Sequence, residues 1–216
     1  MRCPFTLTNF STVAAACAVF SGCATTTMSV TPSPQTSVCD SEVSALVLWA
    51  TQWRPDQKDV PKREAAAEAG LKEFLQTSGC FANSELHRLP SINPSTVAAE
   101  VASANGRFNT VVTIMLHELG PVIKLLSSLA LVEGGTEVVL QVAEYIPPTE
   151  ALNRTFTVHW QNGGPGIIRG VASLPQDMQA TLIMGLQPSG PLTWSYPNLV
   201  DLPLNHASDC NNSTSR

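Results

Sequence analysis

Val122 to Tyr145 reads VIKLLSSLALVEGGTEVVLQVAEY, with leucines that suit a helix and glycines that suit a hairpin. Which of the two it forms decides the fold. Gly134-Gly135 is a two-residue signal of the kind that joins antiparallel strands. After it, Glu137 and Gln141 alternate with Val138, Leu140 and Val142, the period of two of a half-buried strand. Before it, Ile123, Leu125, Leu129 and Leu131 share one face with Ser127, while Lys124 and Ser128 lie on the other. The expectation is a hairpin that turns at Gly134-Gly135.

On either side of this hairpin the pattern continues as strand. Asn109 to Leu119 (NTVVTIMLHEL) is rich in β-branched residues. Arg154 to Gln161 (RTFTVHWQ) alternates, with Phe156, Val158 and Trp160 inward and Thr155, Thr157 and His159 outward. NGGPG then turns the chain, and Ser173 to Gln176 reads as a capping box for a last helix through DMQATLIMGL.

Towards the amino terminus, Ser44 to Trp49 (SALVLW) suits a buried strand. Helix signals follow: Asp59 as cap, Pro61 in the first turn, Leu71, Phe74 and Leu75 at helical spacing, and Gly79 as stop. Glu85 to Leu89 is a short strand, and Asn93-Pro94 opens a second helix that Gly106 ends. The expected class is α/β (α+β), a single mixed sheet in the order β-α-β-α-β-β-β-β-α with helices packed on it.

The start of the chain carries a different signal. Arg2 is the only charge before Cys23, an apolar block spans Val13 to Phe20, and Ser21-Gly22 precede the cysteine. This is how an export signal is built, and the block is too short to span a bilayer. It resembles bacterial lipoprotein signals, with Phe20 where leucine is usual. That resemblance implies cleavage before Cys23 and a diacylglycerol thioether on its sulfur, with a further acyl chain such as palmitate on the new amino terminus. Two or more buried chains give stable anchoring. Ala24 after the cysteine resembles the default signal for the outer membrane. The expected organisation is a signal peptide at 1–22, a lipid-attached flexible tether at 23–43, the domain at 44–190 and an irregular tail at 191–216. Residues 24–38 are rich in Thr, Ser and Pro and poor in aromatics, which is the basis for the tether.

Removing residues 1–22 leaves 11 basic against 17 acidic residues, a net charge of −6. Nucleic acid is excluded as a partner, because backbone binding needs clustered Lys and Arg. Three cysteines remain besides the lipid-bearing one: Cys39, Cys80 and Cys210. In an oxidising periplasm one pair is expected to be bridged. A strand followed by an antiparallel helix brings Cys39 and Cys80 to one end of the sheet, which favours that pair; a bridge from Cys210 is the rival. Their spacing does not suit a metal.

The order of elements over roughly residues 44–187, behind a lipoprotein signal, resembles a family of outer-membrane lipoproteins whose domain is like the amino-terminal domain of TolB. Members include the curli secretion lipoprotein, a polysaccharide-export lipoprotein and activators of peptidoglycan synthases. The resemblance implies a non-catalytic assembly, export or accessory factor that faces the periplasm, works by contact with envelope proteins or with copies of itself, and needs no cofactor beyond the lipid on Cys23. It transfers no functional residue.

Motifs for chemistry are weak. His117-Glu118-Leu119-Gly120-Pro121 begins like a zinc-protease helix but lacks the second histidine, having Pro121 in its place. Gly163, Gly164, Gly166 and Gly170 miss the dinucleotide spacing at Arg169 and read as a turn. There is no G-x-S-x-G elbow. His87, His159 and His206 fall on polar positions. The densest charged segment is Trp53-Arg54-Pro55-Asp56-Gln57-Lys58-Asp59, continuing to Arg63 and Glu64, beyond the carboxyl end of the first expected strand, where ligands often bind in α/β sheets. Trp53 and Arg54 suit recognition, with Asp56, Lys58 and Asp59 around them; mutual pairing and helix capping is the competing use of these charges. The alternative function, binding of a small ligand or glycan, requires a pocket at this loop.

Overall fold

The computed structural model describes residues 24–33, 35–126, 131–147, 151–165 and 167–187. The signal peptide, Cys23, His206, Cys210 and the 191–216 tail lie outside the described residues.

Six strands form one mixed sheet: β1 (Thr25–Thr31), β2 (Asp40–Thr51), β3 (Phe81–Arg88), β4 (Thr110–Leu126), β5 (Leu131–Ile146) and β6 (Ala151–Pro165). Among the described residues three α-helices accompany them: α1 (Val60–Thr77), α2 (Pro94–Ser103) and α3 (Leu174–Leu186). The spatial order is β1-β6-β5-β4-β2-β3, with β2 parallel to β3 and β4 and every other pairing antiparallel. The α+β class and the mixed sheet agree with the expectation.

The continuous apolar run in β2 has a physical cause. Ala45, Val47 and Trp49 enter the core under α1 and α3, while Leu46 and Leu48 enter a second core with Val97 of α2 on the opposite face. A parallel strand covered on both faces needs apolar residues at every position. In the antiparallel part only one face is covered by helices, so Phe156, Val158 and Trp160 are buried and Thr155, Thr157 and His159 are not, as the alternation requires.

Three expectations are corrected. Gly134 and Gly135 do not turn the hairpin. They lie inside β5 opposite Ile123 and Val122, and the chain reverses between the paired residues Leu126 and Leu131. They are glycines because β5 and β6 come close here: a Cβ on Gly135 would lie 2.6 Å from the Asn162 carbonyl oxygen, and one on Gly163 would lie 2.2 Å from that of Gly134. Asn162, Gly163, Gly164 and Pro165 are accordingly strand, not turn. The expected four-strand meander is thus three long strands, since 110–126 is continuous across a register shift between Leu116 and Glu118. That bulge lets Leu116 and Leu119, of opposite parity, both face the core.

The third correction concerns the tether. Thr25–Thr31 is an edge strand on β6, so the sheet begins far before residue 44. Met28 and Val30 pack against the main core while the intervening residues face out. An edge strand needs only one apolar face, and β-branched threonine supports it despite the polar composition. β2 likewise begins at Asp40.

The helix starts separate real caps from apparent ones. Asn93 accepts from the Thr96 amide at 3.0 Å and the Thr96 hydroxyl accepts from the Asn93 amide at 3.0 Å, closing a capping box with Pro94 in the first turn. Asp59 occupies the cap position of α1 with φ 54° and no side-chain cap bond. Ser173 makes none for α3 either; its hydroxyl donates to the Gly170 carbonyl at the end of a 3-10 turn over Val171–Ser173. In the first turn of α3, burial pushes the Asp177 carboxyl above its usual range, and the neighbouring Thr136 hydroxyl and the Arg169 charge offset this only in part.

Helices α1 and α3 touch at a small residue. A Cβ on Gly70 would lie 2.6 Å from the Pro175 carbonyl oxygen and 2.7 Å from Met178 Cβ. In an open helix, Gly→Ala is worth about 1 kcal/mol in favour of alanine. Here the collision is with backbone and should prevail, so Gly70→Ala is expected to lower stability by about 1–2 kcal/mol, read as a shift in the urea midpoint without a change in slope. An unchanged or raised midpoint would show that the two helices can part at no cost.

Candidate functional site

The most densely wired polar region forms where β2 stops and β4 does not. The pairing of the two strands ends at Thr51 and Leu116, followed by a Gln52 amide bond to the Leu116 carbonyl at 2.8 Å. Beyond this point the edge of β4 is open, which is where a strand can tolerate Pro121. Arg63 of α1 fills the gap. Its Nη1 donates to the Leu119 carbonyl at 2.6 Å and to Glu118 Oε1 at 2.8 Å, and its Nε donates to the Lys58 carbonyl at 2.8 Å. Arg63 is only 9% exposed. Gly120 makes this possible, because a Cβ there would sit 1.6 Å from Arg63 Nη1.

Glu118 gathers the loop 52–59 onto this node. Besides Arg63, it accepts from Gln57 Nε2 at 3.0 Å and pairs with Arg54 Nη2 at 3.0 Å. A second carboxylate, Glu64, takes the Trp53 indole N–H at 3.3 Å, the Thr51 hydroxyl at 3.1 Å and Arg88 at 2.6 Å. Burial pushes the Glu64 carboxyl upward, but hydrogen bonds from Arg88, Trp53 and Thr51, with the Arg88 charge, outweigh it and hold the group below the ordinary glutamate range. Because the folded value is depressed, the stabilisation is present above the unfolded value and disappears as the pH falls through the folded one. Glu64→Gln is therefore expected to cost about 1 kcal/mol at pH 7 and little in strong acid. Equal losses at both ends of a pH series of melting temperatures would contradict this.

Of the loop residues singled out in the sequence, Trp53 is half-buried on the main core, and Arg54 is exposed yet tied to Glu118. Asp56, Lys58 and Asp59 are exposed; Asp59 pairs with Lys62 at 3.5 Å, and Lys58 contributes its carbonyl to Arg63. The loop is held as a rigid shoulder with Arg54, Asp56 and Lys58 outermost. Glu118 accepts from cations and an amide, and Glu64 from a cation and two neutral donors, so these charges are largely used in pairing within the loop. Arg63 and Glu64 continue the charged segment in the sequence, whereas Arg88 and Glu118 are the residues that sequence reasoning did not join to it. The available signal was Gly120-Pro121 inside a strand, which marks the place where a neighbour ends.

The second feature is the open face of the sheet. Helix α2 covers Leu46, Leu48 and Val111, and its core reaches Tyr145. Farther across, the register aligns Met115, Gln141, Thr157 and Thr31 in one row, Val139, His159 and Ser29 in the next, and Glu137, Gln161 and Thr27 in a third. Glu137 Oε1 lies 2.5 Å from His159 Nε2 and accepts from Gln161 Nε2 at 3.0 Å. Hydroxyls and amides dominate this surface, and it ends at β1, whose outer edge has no neighbour in the sheet among the described residues.

Among the described residues no group of three or more His, Cys, Asp or Glu side chains could hold a metal ion, and no helix is long and apolar enough to cross a membrane. A concavity of about 110 Å³ lies between Thr25, Val122, Gly134 and Gln161, and another of about 250 Å³ between Leu46, Val101, Phe108 and Pro147. Neither touches the Trp53–Asp59 loop.

No family model and no curated protein matches the chain. Solved structures do resemble it. The PelC dodecamer from Paraburkholderia phytofirmans is 15% identical, covering 76% of this chain and 100% of that one at a TM-score of 0.41. A putative neuraminyllactose-binding hemagglutinin homolog from Helicobacter pylori is 11% identical over 69% of this chain and 83% of that one, at 0.36. Lipoprotein GNA1162 from Neisseria meningitidis is 12% identical over 64% and 94%, at 0.32. At these values the likeness concerns the course of the chain and nothing finer.

Proposed function

We propose that this chain is a lipoprotein of the bacterial envelope, anchored through Cys23 to the outer membrane and facing the periplasm, and that it acts without catalysis as an assembly, export or accessory factor. The observation that carries the contact role is the hydroxyl- and amide-rich sheet face, uncovered among the described residues and ending in the edge strand β1, which is uncharged and among those residues unpaired on its outer side. An exposed edge is a template for another chain, and natural sheets commonly blunt it with charge or proline. The seven residues of β1 carry neither. Other copies of this chain and other envelope proteins are the candidate partners.

Binding of a small ligand or glycan is less well supported. Small-molecule pockets usually measure about 300–1,000 Å³, and Trp53 and Arg54, which would line one at the loop, are engaged by Glu64 and Glu118.

Photo-crosslinking in cells tests the reading. A photoreactive residue at Ser29 or Thr157 is expected to yield discrete adducts with an envelope protein or a second copy, while one at Glu73, exposed on α1, yields none. Absence of adducts at both sheet positions in a folded, membrane-bound protein would remove the contact role.

A further inference from the structure

We propose that the end of the sheet at which β1 begins is a lipid-contact surface, so that the domain stands directly on the membrane instead of hanging from a tether. This rests on the lipid attachment at Cys23 proposed above. Only Ala24 separates Cys23 from Thr25, the first residue of β1. Two residues reach at most about 7 Å. Thr25 pairs with Gly163, Gly163 with Gly135 and Gly135 with Val122, which places Thr25 level with Val122 across four strands, and both line the same concavity. β4 then continues from Val122 to Leu126, an advance of about 13 Å at strand spacing. The end of the β4–β5 ribbon therefore projects beyond the furthest position Cys23 can take. Acyl chains on Cys23 bring that end into the headgroup layer.

Its chemistry fits lipid. Ile123 is 64% exposed and Ile168 82% exposed. They sit close together, because the Ile167 carbonyl rests on Gly134, 2.0 Å from where a Cβ would be, and Gly134 is the strand partner of Ile123. Ile146 and Leu152 are also exposed, 49% and 54%, but at the opposite end of the sheet; the more exposed pair lies at the end that Cys23 can reach, and such side chains suit the boundary between headgroups and acyl chains. The strands then run away from the bilayer, and the β1 edge and the open face point sideways, towards neighbours anchored in the same leaflet.

The test uses the full chain, processed in a lipoprotein-competent bacterium and reconstituted into phosphatidylethanolamine–phosphatidylglycerol vesicles. Nitroxide labels are placed at Ile123→Cys, Ile168→Cys or Glu73→Cys, each in a Cys210→Ser background, and intact mass reports the lipid on Cys23. Labels at 123 and 168 are expected to favour oxygen over a nickel chelate as relaxant severalfold more than the label at 73. If they are as aqueous as the label at 73 on an acylated chain, the contact surface is overturned and the anchor stands. Interfacial labels on an unacylated chain overturn the anchor and keep the surface; aqueous labels on an unacylated chain overturn both. Shielding from both relaxants indicates a protein contact and overturns the lipid assignment.

Discussion

Replacing Arg63 by methionine is expected to cost the domain about 3 kcal/mol, because it leaves Glu118, whose side chain is 14% exposed, with one of its two cationic partners removed. The surviving partner, Arg54, is 67% exposed and holds Glu118 from the solvent side only. The open edge of β4 also loses the donor on the Leu119 carbonyl. Gly120→Ala should produce much of the same loss without touching either charge, since the added methyl occupies the space of the guanidinium. The double variant Arg63→Met, Glu118→Leu should recover most of the stability, because replacing a buried pair by apolar residues is often neutral where breaking it is not. Urea denaturation of the four proteins decides the matter. Near-equal stability of Arg63→Met and wild type would mean that the node is a surface ornament, and the rigid shoulder would lose its basis.

The second large effect is expected at the disulfide. Cys39 and Cys80, the pair favoured by the strand-then-helix argument, are bridged across a sequence separation of 41, with Cα atoms 4.5 Å apart. Closing a loop of that length restricts the unfolded chain by about 4 kcal/mol in the entropic account. In the fold the bridge joins the starts of β2 and β3, and the amides of Val38 and Cys39 donate to the Leu186 carbonyl at the end of α3. The amino ends of two strands and the end of a helix thus meet at one point. Cys39→Ala with Cys80→Ala is expected to lower the free energy of unfolding by about 4 kcal/mol and to make it indifferent to reductant. A loss below about 1 kcal/mol would indicate that the unfolded chain is already compact there.

Much of this architecture was legible in the residues. SALVLW announces a buried strand, RTFTVHWQ one covered on a single face, and Asn93-Pro94 a helix start; the capping box expected at Ser173 forms instead at Asn93. Gly79, at φ 62°, ends α1 in the left-handed conformation that glycine adopts without strain. The errors share a cause. Gly134-Gly135 has the residues of a turn, yet what it meets is a close approach of two strands, a tertiary fact that local pattern does not contain. Residues 25–31 have the composition of a spacer, and only the alternation of Met28 and Val30 with threonine and serine hints at an edge strand. Asp59 and Ser173 stand at helix starts without capping, because the backbone conformations there turn their side chains elsewhere.

The candidate site was half legible. Trp53, Arg54, Asp56, Lys58 and Asp59 mark the right loop, but its organisation depends on Glu118, 59 positions after Asp59, and on Arg63 crossing to an edge that exists only because β2 stops. The open face was predictable strand by strand from Thr155, Thr157 and His159; that no described helix covers it depends on α2 being short and displaced towards β2.

Native mass spectrometry of the full chain, extracted from bacterial membranes in mild detergent, reads anchor and assembly together. The expected species is a mature chain that begins at Cys23, carries the mass of a diacylglycerol with a further acyl group, and flies in a defined assembly with other copies or with another envelope protein. A chain that retains residues 1–22 or bears no lipid, and that flies as a monomer, would contradict both the anchor and the assembly.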